Sequence, residues 1–281
     1  MTGRRRAIAL ALLVVALLGI GWGVRRFAPG EVKTGSAAAH GATIVRYEIR
    51  SRRVHGTLPQ TAAIPRGAAG ERRPLLVFLH GRGRGGEESN SNSDFFAALE
   101  DLGDRAPVVV FPNGGTSSYW HHRAGGDWRR YVLDEVIPQA VRRLHADPRR
   151  VAIGGVSMGG YGAYAVASND ATRFCAVGGH SPAIWLRAGD SAAGAFDDAR
   201  DYARNDVLAL ARQGGSGAWE SAELWLDGGD ADPFRAGTDA FATALGIRAS
   251  HPEGEHEGDY WRANYPRYLR FYAGALSRCR R

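Results

Sequence analysis

The feature that most constrains this chain is a serine between two glycines, within residues 151–164. The apolar run at residues 151–156 is short enough for a buried strand, and the small residues after Ser157 suit a helix packed against that strand. Gly155 and Gly159 complete the pattern Gly-x-Ser-x-Gly and let the two elements approach closely. The stretch therefore predicts a strained turn that exposes a nucleophilic serine.

Short apolar runs and amphipathic stretches alternate along the rest of the chain. Strands are predicted at residues 74–80, 107–112, 151–156, 176–179, 223–227 and 246–250, with an antiparallel edge pair at residues 42–50 and 53–64. Helices are predicted at residues 93–105 and 127–145, and again after the serine. This alternation is typical of an α/β fold with a mostly parallel sheet covered by helices on both faces. Such a sheet places the loops that follow its strands at the active-site edge.

The first 30 residues have the pattern of a targeting segment. Three arginines at residues 4–6 precede an uncharged, apolar run at residues 7–24. That run approaches the length of a membrane helix, and no small-residue cleavage site follows it directly. We expect an uncleaved signal-anchor that leaves the catalytic body outside the cytoplasm, with a secreted protein as the alternative. Residues 31–41 are then a linker, and residues 42–281 the catalytic domain.

The charge distribution argues against a nucleic-acid partner. The formal net charge is +7, but much of the excess arginine lies in the first 33 residues and at Arg278, Arg280 and Arg281. The body between them is close to neutral, whereas a phosphate backbone requires a basic surface. We expect contact with a membrane only through the N-terminal segment, and none with nucleic acid.

The two cysteines, Cys175 and Cys279, lie too far apart for a zinc knuckle or a redox CxxC motif. Because Cys175 falls in an apolar, strand-like run, a buried free thiol is the expected state. A disulfide between the two cysteines is the alternative in an oxidising compartment.

An activated serine needs a base, and in a sheet of this kind the histidine follows both the serine and the acid along the chain. Of the nine histidines, this order leaves His251 and His256. His251 lies where a predicted strand ends, whereas His256 lies in a polar loop at residues 252–258. The base must reach over the serine, so the sequence favours His256.

The orienting acid is expected in the turn after the strand at residues 223–227. Asp227 still belongs to that strand, and Asp230 has the position of a turn-forming aspartate. Asp232 follows the turn and precedes Pro233, which suits the first turn of a helix. Asp232 is therefore the favoured acid, with Asp230 as the alternative.

Residues of two loops are candidates for substrate binding. The stretch Tyr-Trp-His-His at residues 119–122, with Trp120 and His121 as the favoured contacts, follows a central strand at the active-site edge, although packing is an equally good interpretation. Trp185 lies in the long segment of residues 183–221, which is either a partial lid or an ordinary surface helix with a loop. The adjacent histidines at residues 121 and 122 lack the spacing of a metal site, and no P-loop lysine is present, so neither metal nor cofactor is expected.

Three stretches resemble one enzyme family. They are Gly-Gly-Val-Ser-Met-Gly-Gly-Tyr-Gly-Ala at residues 154–163, Gly-x-x-Asp-Pro-Phe at residues 229–234, and Gly-x-His with Tyr-Trp at residues 254–261. They are similar to the esterase D-like branch of the α/β-hydrolase superfamily, which includes S-formylglutathione hydrolases, feruloyl esterases and antigen 85-type mycolyltransferases. The resemblance covers about residues 42–276, and the loop at residues 81–86 departs from it by being rich in Arg and Gly.

The resemblance implies an α/β-hydrolase fold with Ser157 as nucleophile, Asp232 as acid and His256 as base. It also implies an oxyanion hole formed by the backbone N–H groups of Met158 and Arg82. The expected function is a serine carboxylesterase that acts on small or aryl esters through an acyl-enzyme. The alternatives are an envelope acyltransferase with the same triad and a non-catalytic binding protein that retains the fold.

Overall fold

The computed structural model of the protein describes residues 38–67, 72–83 and 86–279. The predicted signal-anchor of residues 1–30 and most of the predicted linker lie outside these ranges. Within them, no helix combines the length and the apolar character needed to cross a membrane.

Eight strands of the described residues form one sheet in the order β1-β2-β3-β5-β4-β8-β9-β10. They are β1 (Ala38–Ala39), β2 (Ala42–Ser51), β3 (Gly56–Pro65), β4 (Leu75–Leu79), β5 (Val108–Pro112), β8 (Val151–Val156), β9 (Ala176–His180) and β10 (Glu223–Asp227), while β6 (His122–Arg123) and β7 (Gly126–Asp127) form a separate hairpin. The strands from β5 to β10 in this order run parallel, and β1, β2 and β3 pair antiparallel along one edge. The predicted mostly parallel sheet with an antiparallel edge pair is confirmed.

The strand predicted at residues 246–250 does not form. Gly246 ends the preceding helix in a left-handed conformation, and the N–H of Ile247 donates to that helix at Ala242. Ser250 alone pairs with β10, in a single parallel bridge to Asp227. The prediction was wrong because the N–H groups of Gly246 and Ile247 bond to carbonyls of the preceding helix, so they are not available to pair with a strand.

Nine α-helical segments connect the strands in the described part of the chain. They are α1 (Gly86–Ser89), α2 (Ser93–Glu100), α3 (Trp128–Arg130), α4 (Ile137–Arg143), α5 (Met158–Ala167), α6 (Ala199–Asn205), α7 (Val207–Gly214), α8 (Arg235–Leu245) and α9 (Gly258–Arg278). The helix predicted at residues 127–145 is present, with a π-helical turn at Tyr131–Val136 between α3 and α4. The helix predicted at residues 93–105 ends early, at Glu100, and a 3₁₀ turn (Gly103–Arg105) follows.

The sheet separates two apolar cores. In β4, Leu75, Val77 and Leu79 point into one core, and Leu76 and Phe78 into the other, as the two-residue period of a strand requires. The first core is covered by the π-helical turn, α4, α5, α7 and α8, and the second by α2 and α9. Strands that are buried on both faces explain why their sequences are continuously apolar.

A buried polar cluster fastens α9 to the sheet. The carboxylate of Asp227, at the end of β10, accepts hydrogen bonds from the hydroxyls of Tyr260 and Tyr268, each at 2.9 Å. Its other oxygen lies 2.6 Å from Nδ1 of His180, whose Nε2 lies 2.9 Å from the hydroxyl of Tyr272. The cluster joins the ends of β9 and β10 to three turns of the C-terminal helix.

Cys175 and Cys279 form a disulfide. It joins the residue before β9 to the residue after α9, and the two cysteines are 104 residues apart in the sequence. The expected free thiol at Cys175 was wrong, because β9 and the end of α9 meet at the same edge of the second core. Helix α9 is thus fastened to the sheet in two ways. Tyrosine hydroxyls bond to the ends of β9 and β10, and a covalent bond links the C-terminal end of the helix to the start of β9.

We predict that the double variant Cys175→Ala/Cys279→Ala unfolds with a free energy lower by about 2–4 kcal/mol, because the unfolded chain regains the freedom of a long loop. Urea unfolding with and without a reductant measures the change. Reductant should bring the wild type to the value of the variant and leave the variant unaffected. Equal unfolding midpoints for wild type and variant under oxidising conditions would contradict the prediction.

Candidate active site

Ser157 lies on the turn between β8 and α5. Its backbone has φ 54° and ψ −116°, and its N–H donates to the carbonyl of His180 at 2.9 Å. A side chain on either Gly155 or Gly159 would overlap with the carbonyl oxygen of Leu79 at the end of β4. The turn therefore requires glycine at both positions, and it holds the serine in a conformation that residues with a side chain rarely adopt.

His256 joins Ser157 to Asp232. Its Nε2 lies 2.8 Å from Oγ of Ser157, and its Nδ1 lies 3.0 Å from Oδ2 of Asp232. Because a carboxylate only accepts, Nδ1 carries the ring proton and leaves Nε2 free to accept the serine proton. The three side chains predicted from the sequence thus form one continuous line of hydrogen bonds.

Asp232 is almost fully buried, with 5% of its surface exposed. Burial raises the pKa of a carboxyl group, but at Asp232 the hydrogen bond and charge of His256 and the N–H of Phe234 outweigh it. The pKa of Asp232 is therefore lower than its ordinary value of 3.8. Its carboxylate stays ionised at neutral pH and can hold His256 in the tautomer described above.

The alternative residues that the sequence left open have other partners. Asp230 accepts a hydrogen bond from the N–H of Gly254 at 3.0 Å, and its own N–H donates to the carbonyl of Pro252. It therefore braces the loop that carries the histidine. His251 lies 2.7 Å from the carboxylate of Asp239, outside the line of three residues.

The predicted oxyanion donors are the backbone N–H groups of Met158 and Arg82. Met158 is the first residue of α5, where backbone N–H groups have no partner within the helix. Arg82 follows β4, and its peptide unit includes the carbonyl of Gly81, which accepts a hydrogen bond from Nδ1 of His80 at 2.6 Å. In a trans peptide the N–H points away from the carbonyl, so this contact turns the N–H of Arg82 away from His80.

The imidazole of His80 is neutral, so it can donate a hydrogen bond at one nitrogen and accept one at the other. Burial lowers its pKa to about 4, although the Gly81 carbonyl acts in the opposite direction. Its Nε2 accepts the N–H of Gly114 at 2.9 Å, which leaves the proton on Nδ1. The ring thus ties the loop after β4 to the loop after β5.

A cavity of about 510 Å³ opens above the serine. Ser157, His256 and Arg82 reach it directly, and four aromatic side chains form much of its wall: Tyr119, Phe234, Trp261 and Tyr265. Its remaining lining residues include Asn90, Asn92 and Arg262. A substrate in this cavity would lie against aromatic surface while its carbonyl faced Ser157.

Phe234, Trp261 and Tyr265 are not among the predicted substrate-binding residues, although the sequence contains some signals for them. Trp261 and Tyr265 are four residues apart on α9, so they share one face of the helix. Phe234 follows the favoured acid by two residues, and Tyr119 belongs to the stretch of residues 119–122 that was predicted to line the pocket. Which of these side chains faces the serine depends on how α9 and the loops cross, and sequence spacing does not reveal that.

Three predicted substrate-binding residues do not line the cavity. Trp120 is fully buried, and its Nε1 donates to the carbonyl of His80 at 3.3 Å. His121 is also fully buried, with Nε2 3.0 Å from the carbonyl of Ala195. Trp185 lies behind the wall, with its ring 5.4 Å from that of Tyr119. The packing interpretation is therefore correct for Trp120 and His121, and Tyr119 is the residue of this stretch that lines the cavity.

Comparison with known proteins adds to this geometry. Residues 50–270 match the protein family Esterase. Esterase MT1326 of Mycobacterium tuberculosis (strain CDC 1551 / Oshkosh) is 27% identical over 127 residues, which cover 42% of this chain and 27% of that protein. The chain spans about a quarter or less of the length of the curated relatives it matches.

Solved structures share the fold. A ferulic acid esterase superposes with a TM-score of 0.73 at 19% identity, covering 84% of this chain and 99% of that one. The S-formylglutathione hydrolase of Agrobacterium tumefaciens superposes with a TM-score of 0.71 at 19% identity, covering 85% and 98%. The described domain therefore has the α/β-hydrolase fold that the sequence resemblance implied.

We predict that Trp120→Ala lowers the free energy of unfolding by about 3–5 kcal/mol, because it empties a large buried volume. The KM for a short ester should change little, since the ring does not reach the cavity. Urea unfolding and steady-state kinetics measure the two effects, and Trp120→Phe should recover much of the stability. A variant that is as stable as the wild type but has a raised KM would show that Trp120 takes part in substrate binding.

Proposed function

The chain belongs to the Esterase family, in the esterase D-like branch of the α/β-hydrolase superfamily, and we propose that it hydrolyses small or aryl carboxylic esters through Ser157, His256 and Asp232. The observation that carries this proposal is the line of hydrogen bonds from Ser157 Oγ through His256 to Asp232, at 2.8 and 3.0 Å. The line ends in a cavity large enough for a small ester.

The reaction follows from the proton positions. Ser157 Oγ attacks the ester carbonyl carbon while its proton passes to Nε2 of His256, and the ionised Asp232 stabilises the resulting imidazolium. The C–O bond to the alcohol then breaks, and His256 returns the proton to the departing oxygen. Water attacks the acyl-enzyme in the same way, with His256 as base, and releases the carboxylic acid and the free serine.

The N–H groups of Met158 and Arg82 are the proposed donors to the oxyanion. The first belongs to the N-terminus of α5, where the helix dipole also favours negative charge. The second is supported by the contact of His80 with the Gly81 carbonyl, which orients the shared peptide unit. Loss of one such donor typically lowers kcat by about 10²- to 10³-fold.

Residues 183–221 remain a proposed partial lid. Ala192 lines the cavity, and the carbonyl of Ala193 accepts a hydrogen bond from the guanidinium of Arg82 at 3.0 Å. Nearby, Asp197 pairs with Arg123 at 2.6 Å. These contacts support a role for the first part of the segment in covering the site.

The proposal extends to location, with the catalytic domain outside the cytoplasm and attached through the apolar run of residues 7–24. The support is the sequence pattern of the N-terminal segment and the Cys175–Cys279 disulfide, a bond that persists in oxidising compartments. Transfer of the acyl group to an acceptor alcohol, the alternative from the sequence, requires the same residues and stays a prediction.

We predict that a fluorophosphonate probe labels Ser157, because its Oγ lies 2.8 Å from a histidine nitrogen that can accept the hydroxyl proton. Ser157→Ala should abolish labelling and reduce hydrolysis of a short p-nitrophenyl ester by about 10³-fold or more. Mass spectrometry of the labelled peptide and an esterase assay provide the readouts. Ser168→Ala, in the same helix region, is the matched control and should keep both properties; turnover that persists in Ser157→Ala would exclude the mechanism.

A second test distinguishes the roles of Asp232 and Asp230. Asp232→Asn should lower kcat by about 10⁴-fold, because it favours the wrong tautomer of His256. Asp230→Asn keeps the length of the side chain and should lower kcat by less than about tenfold, since Asp230 braces the loop without touching the base. Steady-state kinetics at neutral pH measure both, and the reverse order of effects would identify Asp230 as the acid.

A further inference from the structure

One of the two arginines at the cavity has no negative partner. Arg82 and Arg262 both line the cavity, and no aspartate or glutamate of the described residues does. The guanidinium of Arg262 is paired with the carboxylates of Asp94 and Asp259. Arg82 is exposed, and it takes part in none of the ion pairs within the described part of the chain. The cavity therefore contains one positive charge that no carboxylate of the described residues balances.

Two neutral groups hold the guanidinium of Arg82 at the cavity wall. Its Nη2 donates to the carbonyl of Ala193 at 3.0 Å, and the neighbouring Ala192 lines the cavity. Tyr119, another wall residue, is close to the same side chain. Burial raises the pKa of the Tyr119 hydroxyl, whereas the charge of Arg82 and a hydrogen bond from its side chain act in the opposite direction. Because a guanidinium has five N–H groups, donors remain for a further acceptor.

The side chain of Arg82 starts beside the nucleophile. A Cβ placed on Gly81, the preceding residue, would lie 3.4 Å from that of Ser157. From this position the side chain extends to the carbonyl of Ala193. A group bound by the guanidinium would therefore lie several bonds from the reacting carbonyl carbon and belong to the same substrate molecule.

A carboxylate suits this guanidinium. Its two oxygens match the planar fork of N–H donors, and its single negative charge balances the single free cation. A phosphate dianion would leave one negative charge without a partner. Glu255 and Glu257, which flank the base, are exposed and do not line the cavity, and they would repel a carboxylate placed near their loop. The position beside Arg82 is thus the favourable one for a negative charge.

We propose that the cavity selects esters that also carry a carboxylate, and that the guanidinium of Arg82 binds this carboxylate. The proposal rests on the proposed esterase function and adds the substrate class to it. The carboxylate belongs either to the acyl group or to the alcohol, and both arrangements use the same guanidinium.

Two pairs of esters test the proposal, and the members of each pair differ by a carboxylate in place of a carboxamide of the same shape. The acyl pair is mono-p-nitrophenyl adipate and p-nitrophenyl adipamate, and the alcohol pair is 4-acetoxybenzoate and 4-acetoxybenzamide. For each pair, the ratio of kcat/KM, carboxylate over carboxamide, is measured at neutral pH. Comparing this ratio between enzymes cancels the intrinsic reactivity of the esters and the fraction of folded protein.

Arg82→Gln removes the charge and keeps the backbone N–H, so the ratio should fall by about fivefold in at least one pair. Arg82→Lys keeps the charge but not the fork, and its ratio should stay above that of Arg82→Gln. Added salt should lower the ratio of the wild type and leave that of Arg82→Gln unchanged, because it screens an exposed charge.

Arg105→Gln is the matched control. It removes the same charge from an exposed residue before β5, and because β4 and β5 are parallel, this residue lies at the sheet edge opposite to the loop after β4. Its ratio should equal that of the wild type in both pairs.

Each outcome decides the proposal. A fall in the acyl pair places the carboxylate on the acyl group, and a fall in the alcohol pair places it on the alcohol. Arg82→Gln with an unchanged ratio in both pairs overturns the proposal, even if both members of a pair react more slowly, since the side chain would then serve the reaction without recognising charge. Equal ratios for Arg82→Lys and Arg82→Gln would also overturn it. Failure of the esterase function would look different, because the wild type would hydrolyse no ester or Ser157→Ala would retain full activity.

Discussion

The close approach of β4, β8 and α5 is the constraint on which the site depends. It is possible only because Gly155 and Gly159 leave room for the carbonyl oxygen of Leu79. The turn between them holds Ser157 with a positive φ of 54°, a conformation that an isolated chain would rarely populate. Fully buried strands on both sides keep the turn in place, so the reactivity of one hydroxyl depends on the packing of the central sheet.

A second set of contacts lies around Asp232 and His256. β10 leads into the loop of Asp232, and the carboxylate of Asp227 at its end receives the hydroxyls of Tyr260 and Tyr268. These tyrosines belong to α9, which begins two residues after His256. The strand that leads to Asp232 therefore also anchors the helix that follows His256, through buried hydrogen bonds to the Asp227 carboxylate.

The elements nearest to the serine were predictable, and those that define the cavity were not. Glycine spacing predicted the turn. Chain order, together with the place of each residue in its loop, favoured Asp232 and His256 over Asp230 and His251, and the structure brings the favoured pair into contact. Trp120, predicted to bind substrate, is buried, whereas its neighbour Tyr119 lines the cavity, and both residues have a positive φ. No periodicity in the sequence indicates such a pair.

The steric limits of the serine turn and the hydrophobic periodicity of strands and helices both depend on residues that are close in sequence. The parallel sheet, the serine turn and the order of the three site residues could therefore be inferred from the amino-acid sequence. The disulfide, the contact of Asp232 rather than Asp230 with His256, and the aromatic wall of the cavity depend on the tertiary structure. Each involves groups that lie far apart in the chain. Such contacts depend on how helices, strands and loops pack against one another, which the local sequence pattern does not determine.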